Sequence, residues 1–379
     1  VSRSERETPG SPENGAAGTA AGPVAGFRTG GPVTLRTIAE RAGVHPSTVS
    51  RALKRSAGGD ETARRIRELA AELGYRPDAA AASLRTRRSG AVGVLVHRLT
   101  DVVQAILFEA IEHTVLELGY QAIVANTYDD PDQQRRRVEL MLTRRVDGLI
   151  LADAHLDRSY VDWVAELDIP FVLVNRHAGD YPSVTLDDYL GGRLAGSHLA
   201  DLGHARVGVL RGLPHSSASS ERMAGCLDAL RERGVDVPED AVEATTLDAS
   251  TGREGMRRLL ERRPDTTAVF AVNDFDALGA VIALREAGRE PGVDVAVVGF
   301  NDVPVAEAAQ LTTVRSPHAT MGAAATRMLM DVIEGRHVES MRLSPELIVR
   351  ATSCPPPTPS PNPPQPSAQP HDHRGSAVL

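Results

Sequence analysis

Seven short apolar runs recur between residues 91 and 301, AVGVLV, YQAIVANT, GLILAD, PFVLVN, RVGVLRG, AVFAVN and VAVVGF, with amphipathic stretches between them. Unbroken apolar runs of this length suit strands buried on both faces, and the helical patterns between them supply right-handed crossovers. The expected body is therefore α/β, spanning 90–352, with two doubly wound subdomains. Aromatic residues are only 3% of the chain, so its cores must be built from Ala, Val and Leu. In such sheets ligands sit beyond the carboxyl ends of the strands. The polar residues there are Asp153, Asn175, Asn273 and Asn301.

Ahead of this body the hydrophobic period changes. Leu35, Ile38, Ala39 and Ala42 recur at helical spacing and stop at Gly43; Val49, Ala52 and Leu53 mark a second helix; Ile66, Leu69, Ala70 and Leu73 mark a third. Asp60 is the expected N-cap of the third helix and Gly74 its stop. Helix, glycine turn, helix is the layout of a helix-turn-helix, whose second helix enters the major groove of DNA. The stretch GVHPSTVSRALK, 43–54, suits that task because small side chains in the first turn let the backbone approach the bases. Pro46 fits the first helical position, where no amide hydrogen is needed. Ser47, Thr48 and Ser50 can bond phosphates or base edges, Arg51 can reach a guanine or a phosphate, and Val49 and Leu53 turn inward.

Charge supports this division. From Thr34 to Gly90 there are 12 Lys and Arg against 6 Asp and Glu, a surplus of +6; the whole chain carries -8, so the remainder carries -14. A basic module joined to an acidic body is what arises when one end meets phosphate and the other does not. Downstream, YRPDAAAASLRTRRSG places a short alanine-rich segment, Leu84 and three arginines at 78–89, an apolar wedge beside basic residues of the kind that minor-groove insertion uses.

VTLRTIAERAGVHPSTVSRALK, LGYRPDAAAASLRTRRSGAVGVLV, RMAGC, AVNDFDALGA, VVGFNDVP and LTTVRSPHATMG, in this order and spacing, resemble the LacI/GalR (lactose-repressor) family of bacterial transcriptional regulators over residues 33–352. The resemblance implies a multi-domain protein: an all-α helix-turn-helix domain at 33–77, a hinge at 78–89, and a periplasmic-binding-protein-like effector domain at 90–352. It further implies a homodimer on a near-palindromic double-stranded operator, most often as a repressor, with a small-molecule effector held between the two subdomains. By motif, Thr34 and Leu35 would touch the DNA backbone. Pro46 and Ser47 would begin base reading, Thr48, Ser50 and Arg51 would follow, and Ala81 and Leu84 would enter the minor groove. Arg222 matches the main ligand arginine; Asn273, Asn301 and Asn175 match further ligand positions, with Phe275 and Asp153 as additional candidates.

Two departures from the family pattern affect the recognition helix. His45 stands where a serine N-cap is usual and Lys54 where Asn is usual, so a less firmly capped helix start is expected. In the cleft, Asn175 and Asn301 replace the aspartates common in sugar-responsive relatives, and the segment after the first strand lacks an aromatic pair. A sugar, an anionic ligand meeting Arg222, or another polar metabolite all stay open.

Segments 1–32 and 353–379 are Gly, Pro, Ser and Ala rich, without periodicity, and are expected to be disordered. The proline-rich tail has no leucine heptads, so a dimer rather than a tetramer is expected. Its HDH at 371–373 lacks the further ligands in fixed geometry that a metal site needs. No phosphate loop, nucleophile elbow or metal-spaced histidine cluster is present, so neither an enzyme, a cofactor nor a metal is expected. Cys226 and Cys354 stand alone, no signal peptide or membrane-spanning run occurs, and a cytoplasmic protein is the expectation. The alternative is a solute-binding protein of the same fold without a regulatory role.

Overall fold

Two six-stranded sheets organise the body of the chain in the computed structural model, which describes residues 33–54, 61–75 and 88–355. Asp60, Ala81, Leu84, the segment 1–32 and most of the tail lie outside the described residues. The chain divides into two compact units, Val1–Ala79 and Ala80–Leu379.

In the larger unit the first sheet contains β1 (Ala91–Val96), β2 (Gln121–Asn126), β3 (Gly148–Leu151), β4 (Phe171–Val174), β5 (Ser183–Leu186) and β11 (Met341–Leu343), in the order β11-β5-β4-β3-β1-β2. The second contains β6 (Val207–Leu210), β7 (Val242–Glu243), β8 (Ala268–Ala271), β9 (Ala296–Asn301), β10 (Thr312–Arg315) and β12 (Glu346–Ile348), in the order β12-β10-β9-β8-β6-β7. Every pairing is parallel except β10 with β12. The seven apolar runs became β1, β2, β3, β4, β6, β8 and β9. The central strands β3, β4, β6 and β8 are buried at every residue, whereas β2, at a sheet edge, is exposed or half-buried throughout. That is the burial that continuous apolar runs anticipate.

The chain crosses between sheets after β5, after β10 and again after β11. Each sheet with its helices forms a lobe. Strand order reverses at β1/β3 in the first lobe and at β6/β8 in the second, which opens a crevice at the carboxyl ends of those strands. The helix Asp188–Asp201 follows β5 in sequence but packs against Ser217–Glu232 of the second lobe. Close approach makes this possible: a Cβ at Gly192 would fall on the Arg222 carbonyl oxygen, and one at Gly225 on that of Tyr189.

Ordered structure runs slightly beyond the end expected from sequence. Ser353 Oγ lies 2.8 Å from both His198 Nε2 and Thr312 Oγ1, and the Cys354 carbonyl lies 2.6 Å from His204 Nε2.

The smaller unit holds α1 (Leu35–Ala42), α2 (Pro46–Lys54) and α3 (Glu61–Glu72). Their core is Ile38, Ala39, Val49, Ala52, Ile66 and Ala70, with Leu53 packed at its margin. Thr34 caps α1 reciprocally with Thr37, and Gly43 ends it at φ 69°, a left-handed position that glycine occupies at little cost.

Burial also makes the body sensitive to alkali. Asp276 is fully buried; Thr245 Oγ1 donates to its Oδ2 at 2.8 Å, and burial pushes its carboxyl up to about 8. Asp274, likewise buried, is pushed up to about 7. A folded pKa raised above the unfolded 3.8 contributes stability that is full below that value and is lost as pH rises through the folded one. His318, pushed down to about 3 by burial and by Arg222, is neutral in both states well above pH 6.5 and affects only more acidic solutions. Stability should therefore fall between pH 6.5 and 8 by up to about 1.4 kcal/mol per unit for each buried aspartate. Asp276→Asn should flatten that decline, read as urea midpoints across this range.

Candidate nucleic-acid interface and ligand cleft

The second helix of the smaller unit presents Pro46, Ser47 and Arg51 to solvent, with Thr48 and Ser50 half-buried and Val49 fully buried. Arg51 has no hydrogen-bond or ion-pair partner among the described residues. Thr34 is exposed and Leu35 half-buried at the start of α1. The expectation of a weak helix start is corrected by His45. Its carbonyl accepts from Thr48 N at 2.9 Å, and its ring Nδ1 accepts from Ser47 N at 3.3 Å with Ser47 Oγ at 2.8 Å. The imidazole takes the place of a serine hydroxyl as cap, in the tautomer that carries its proton on Nε2. His45→Ala should cost the smaller unit about 1 kcal/mol, while His45→Ser should restore most of it. Helical circular dichroism against urea measures both.

In the larger unit the crevice between the lobes has two compartments. The inner one, about 30 Å³, is lined by Asn175, Arg222, Asn273 and Asn301, together with His97, Asp101 and Gln104. The outer one, about 520 Å³, shares His97 and Asp101 and adds Tyr128 and Phe275. The inner volume is that of one water molecule, while the outer is within the range of small-molecule sites. Sequence reading thus named four residues that meet in the inner compartment and one, Phe275, in the outer. Asp153 lines neither: it is fully buried, with Thr127 Oγ1 donating to its Oδ2 at 2.6 Å, and burial pushes its carboxyl up.

Arg222 sits in the second lobe, on the helix Ser217–Glu232, and is only 6% exposed. Its Nε donates to Asp188 Oδ1 at 2.7 Å, its Nη1 to the Val272 carbonyl at 2.9 Å, and its plane lies 3.9 Å from the Phe300 ring centroid. Nη2 makes no protein hydrogen bond among the described residues. Asn273 is largely committed to structure: its Oδ1 caps the helix Asp274–Glu286 by accepting from Asp276 N at 2.7 Å, and its Nδ2 donates to the Leu247 carbonyl. Asn175 at φ 66° and Asn301 at φ 109° occupy left-handed backbone that asparagine tolerates better than most residues, a local reason for their identity.

His97, Asp101 and Gln104 were missed, although HRLTD directly follows the first apolar run. His97 Nε2 pairs with Asp101 Oδ2 at 3.0 Å. Burial works to raise the Asp101 pKa, but His97 and the backbone of Val103, which this aspartate caps, hold it below its ordinary value. His97 Nδ1 and Gln104 Oε1 of the first lobe and Asn301 Oδ1 of the second are buried without a protein partner among the described residues. Carboxylates and rings expected to be scarce are present, as Asp101, Asp129, Asp248, Tyr128 and Phe275, but they line the outer compartment.

The lobes touch at several points in this arrangement. Leu156 N donates to the His215 carbonyl at 3.0 Å, His177 N to Ser217 Oγ at 3.0 Å, and His177 Nε2 lies 2.6 Å from Glu221 Oε1.

Comparison with known proteins agrees with both halves. Residues 89–351 match the model for periplasmic binding proteins and the sugar binding domain of the LacI family, and residues 34–78 match that for bacterial regulatory proteins of the lacI family. The chain is 33% identical to the transcriptional regulator GalS of Salmonella typhimurium over 332 residues, 86% of this chain and 94% of that one. It is 30% identical to the regulator DegA of Bacillus subtilis over 85% and 98% of the two chains. Among solved structures, the lac repressor dimer bound to operator and the anti-inducer ONPF superposes with a TM-score of 0.77 at 27% identity, covering 85% of this chain and 99% of that one. The transcriptional regulator CelR in complex with cellobiose gives 0.66 at 30% identity, covering 85% of this chain and all of the other.

Proposed function

Because this chain belongs to the LacI family of bacterial transcriptional regulators, we propose that it is a homodimeric repressor whose affinity for a near-palindromic operator is set by a small molecule bound between the lobes of its larger unit. Pro46, Ser47, Thr48, Ser50 and Arg51 read the operator's major groove, and Thr34 and Leu35 meet its phosphates. Ala81 and Leu84, outside the described residues, enter the minor groove. The effector meets Asn175 and His97 from the first lobe and Arg222, Asn301 and Phe275 from the second. The chain acts in the cytoplasm, where its DNA is, and carries out no catalytic step. No described helix is long and apolar enough to cross a membrane.

The observation that carries this reading is that residues of both lobes holding buried polar atoms without a partner among the described residues, His97 Nδ1, Gln104 Oε1 and Asn301 Oδ1, line one compartment. Buried polar atoms without partners cost about 1–3 kcal/mol each. A polar ligand would pair them, and contacts to both lobes make its affinity depend on the lobe-to-lobe angle. A ligand shifts an equilibrium by its difference in affinity for the two states, so binding here changes the population of lobe arrangements. Residues 78–89 carry that change to the DNA-binding helices.

The test selects bound sequences from a random duplex pool with purified protein, then screens metabolites for those that shift its affinity for the enriched site. A two-fold symmetric site and at least one active metabolite are expected, and deletion of 78–85 should remove the response while leaving metabolite binding intact. Failure to enrich any sequence, with metabolite binding retained, would favour a solute-binding protein instead.

A further inference from the structure

Asp129, His155 and His215 lie far apart in sequence and meet at the rim of the crevice. Asp129 follows β2 in a turn where Tyr128 and Asp129 both have left-handed backbone, φ 60° and 53°. His155 follows β3, and His215 follows β6 in the other lobe. One side-chain ligand atom from each lies within 4.8 Å of the other two. His155 Nε2 is 3.6 Å from Asp129 Oδ1 and His215 Nε2 is 3.4 Å from Oδ2, with the two rings tilted at 43° and their centroids 4.3 Å apart.

A second observation points to a ligand at this cluster. His155 is 8% exposed, and its Nε2 makes no hydrogen bond among the described residues, the nearest acceptor being Asp129 Oδ1 at the longer ion-pair distance of 3.6 Å. We propose that these three residues form a site for a first-row transition-metal dication, of which zinc is the representative, joining the first lobe to the second.

The ligand chemistry fits this class. Two imidazoles and one carboxylate favour zinc, nickel or copper over magnesium or calcium, which prefer all-oxygen shells. Metal-to-ligand distances of about 2.0–2.2 Å require the three donors to contract by roughly an ångström. The loops that carry them are already linked by the Leu156 N to His215 carbonyl hydrogen bond. Arg176 forks onto Asp129, Nη1 to Oδ1 at 2.8 Å and Nη2 to Oδ2 at 3.1 Å, which fixes the carboxylate plane. A carboxylate offers about four lone-pair positions, so with Arg176 on two of them the others stay available to a metal, to which the two imidazoles give their Nε2 lone pairs instead of bonding the carboxylate. The guanidinium charge opposes the cation, so micromolar rather than tighter affinity is expected. Asp129 and His215 line the outer compartment, so a fourth coordination position faces the crevice, within reach of water or of an effector oxygen. With donors from both lobes, the metal would favour the present lobe arrangement.

Calorimetric titration of tag-free, chelator-stripped full-length protein with zinc chloride tests this, with magnesium chloride in parallel. One zinc per chain and no comparable magnesium binding are expected. His215→Ala and His155→Ala should each weaken zinc binding roughly tenfold to hundredfold. His215 is partly exposed, so its replacement leaves the fold intact even if that of His155 does not. The double variant His371→Ala and His373→Ala should bind as the parent does, and cobalt should give a visible absorption band that His215→Ala abolishes. Absence of stoichiometric zinc binding, binding unaffected by His215→Ala, or loss only in the tail variant overturns the proposal.

Discussion

A chain carrying Arg222→Leu together with Asp188→Asn should hold its operator as tightly as the parent and lose its response to the effector. Arg222 is a buried charged group of the inner compartment that its surroundings hold in place. Asp188 and the Val272 carbonyl fix two of its nitrogens, the Phe300 ring fixes its plane, and Nη2 makes no protein hydrogen bond among the described residues. Removing charge-assisted hydrogen bonds to a ligand costs about 3 kcal/mol, or roughly a hundredfold in affinity. Replacing the arginine alone would strand a buried carboxylate at a cost of about 3–5 kcal/mol, so Asp188 must change with it. Anisotropy of a labelled operator, titrated with the active metabolite, reads the response. An unchanged titration midpoint in the double variant would remove Arg222 from the effector site.

The second large effect lies in the other unit. Val49→Asp should abolish operator binding, by about a thousandfold or more, while metabolite binding by the larger unit persists. Val49 is fully buried and belongs to a core of six buried residues, of which only Ile38, Ile66 and Val49 itself are larger than alanine. An unpaired carboxylate there costs several kcal/mol, and so small a domain has little stability to spare. The lobes share none of that core. Equal loss of metabolite binding would show that the two units do not fold independently. Val49→Ile, which keeps the site apolar, should retain most of the affinity.

Much of the fold was legible in sequence because burial leaves a simple trace. Central strands such as GLIL and FVLV are apolar throughout, since both faces are covered. Strands β5 and β10, SVTL and TTVR, left a weaker trace: each is four residues long and carries hydroxyls that find partners inside, as Thr313 Oγ1 does on Asp274. The edge strands β11 and β12 are three residues each and partly exposed, so no apolar period marks them. For the cleft, motif spacing brought out Asn175, Arg222, Asn273 and Asn301, but not their division of labour. Asn273 spends its amide mainly on a helix cap, and Asp153 lies behind the wall of the crevice.

The sequence by itself determined the two-part organisation, the parallel sheets and the helix-turn-helix layout whose second helix is proposed to read DNA, because hydrophobic period and local charge are properties of neighbouring residues. Tertiary structure decided what depends on residues distant along the chain. It turned the His45 ring into a helix cap, put the outer compartment's carboxylates and rings beside the predicted residues, and brought Asp129, His155 and His215 to one point on two lobes. The reason is physical: a strand or helix is encoded by spacing within about a dozen residues, whereas a site at a switch point takes its groups from the ends of several strands, whose proximity exists only once the sheets have formed.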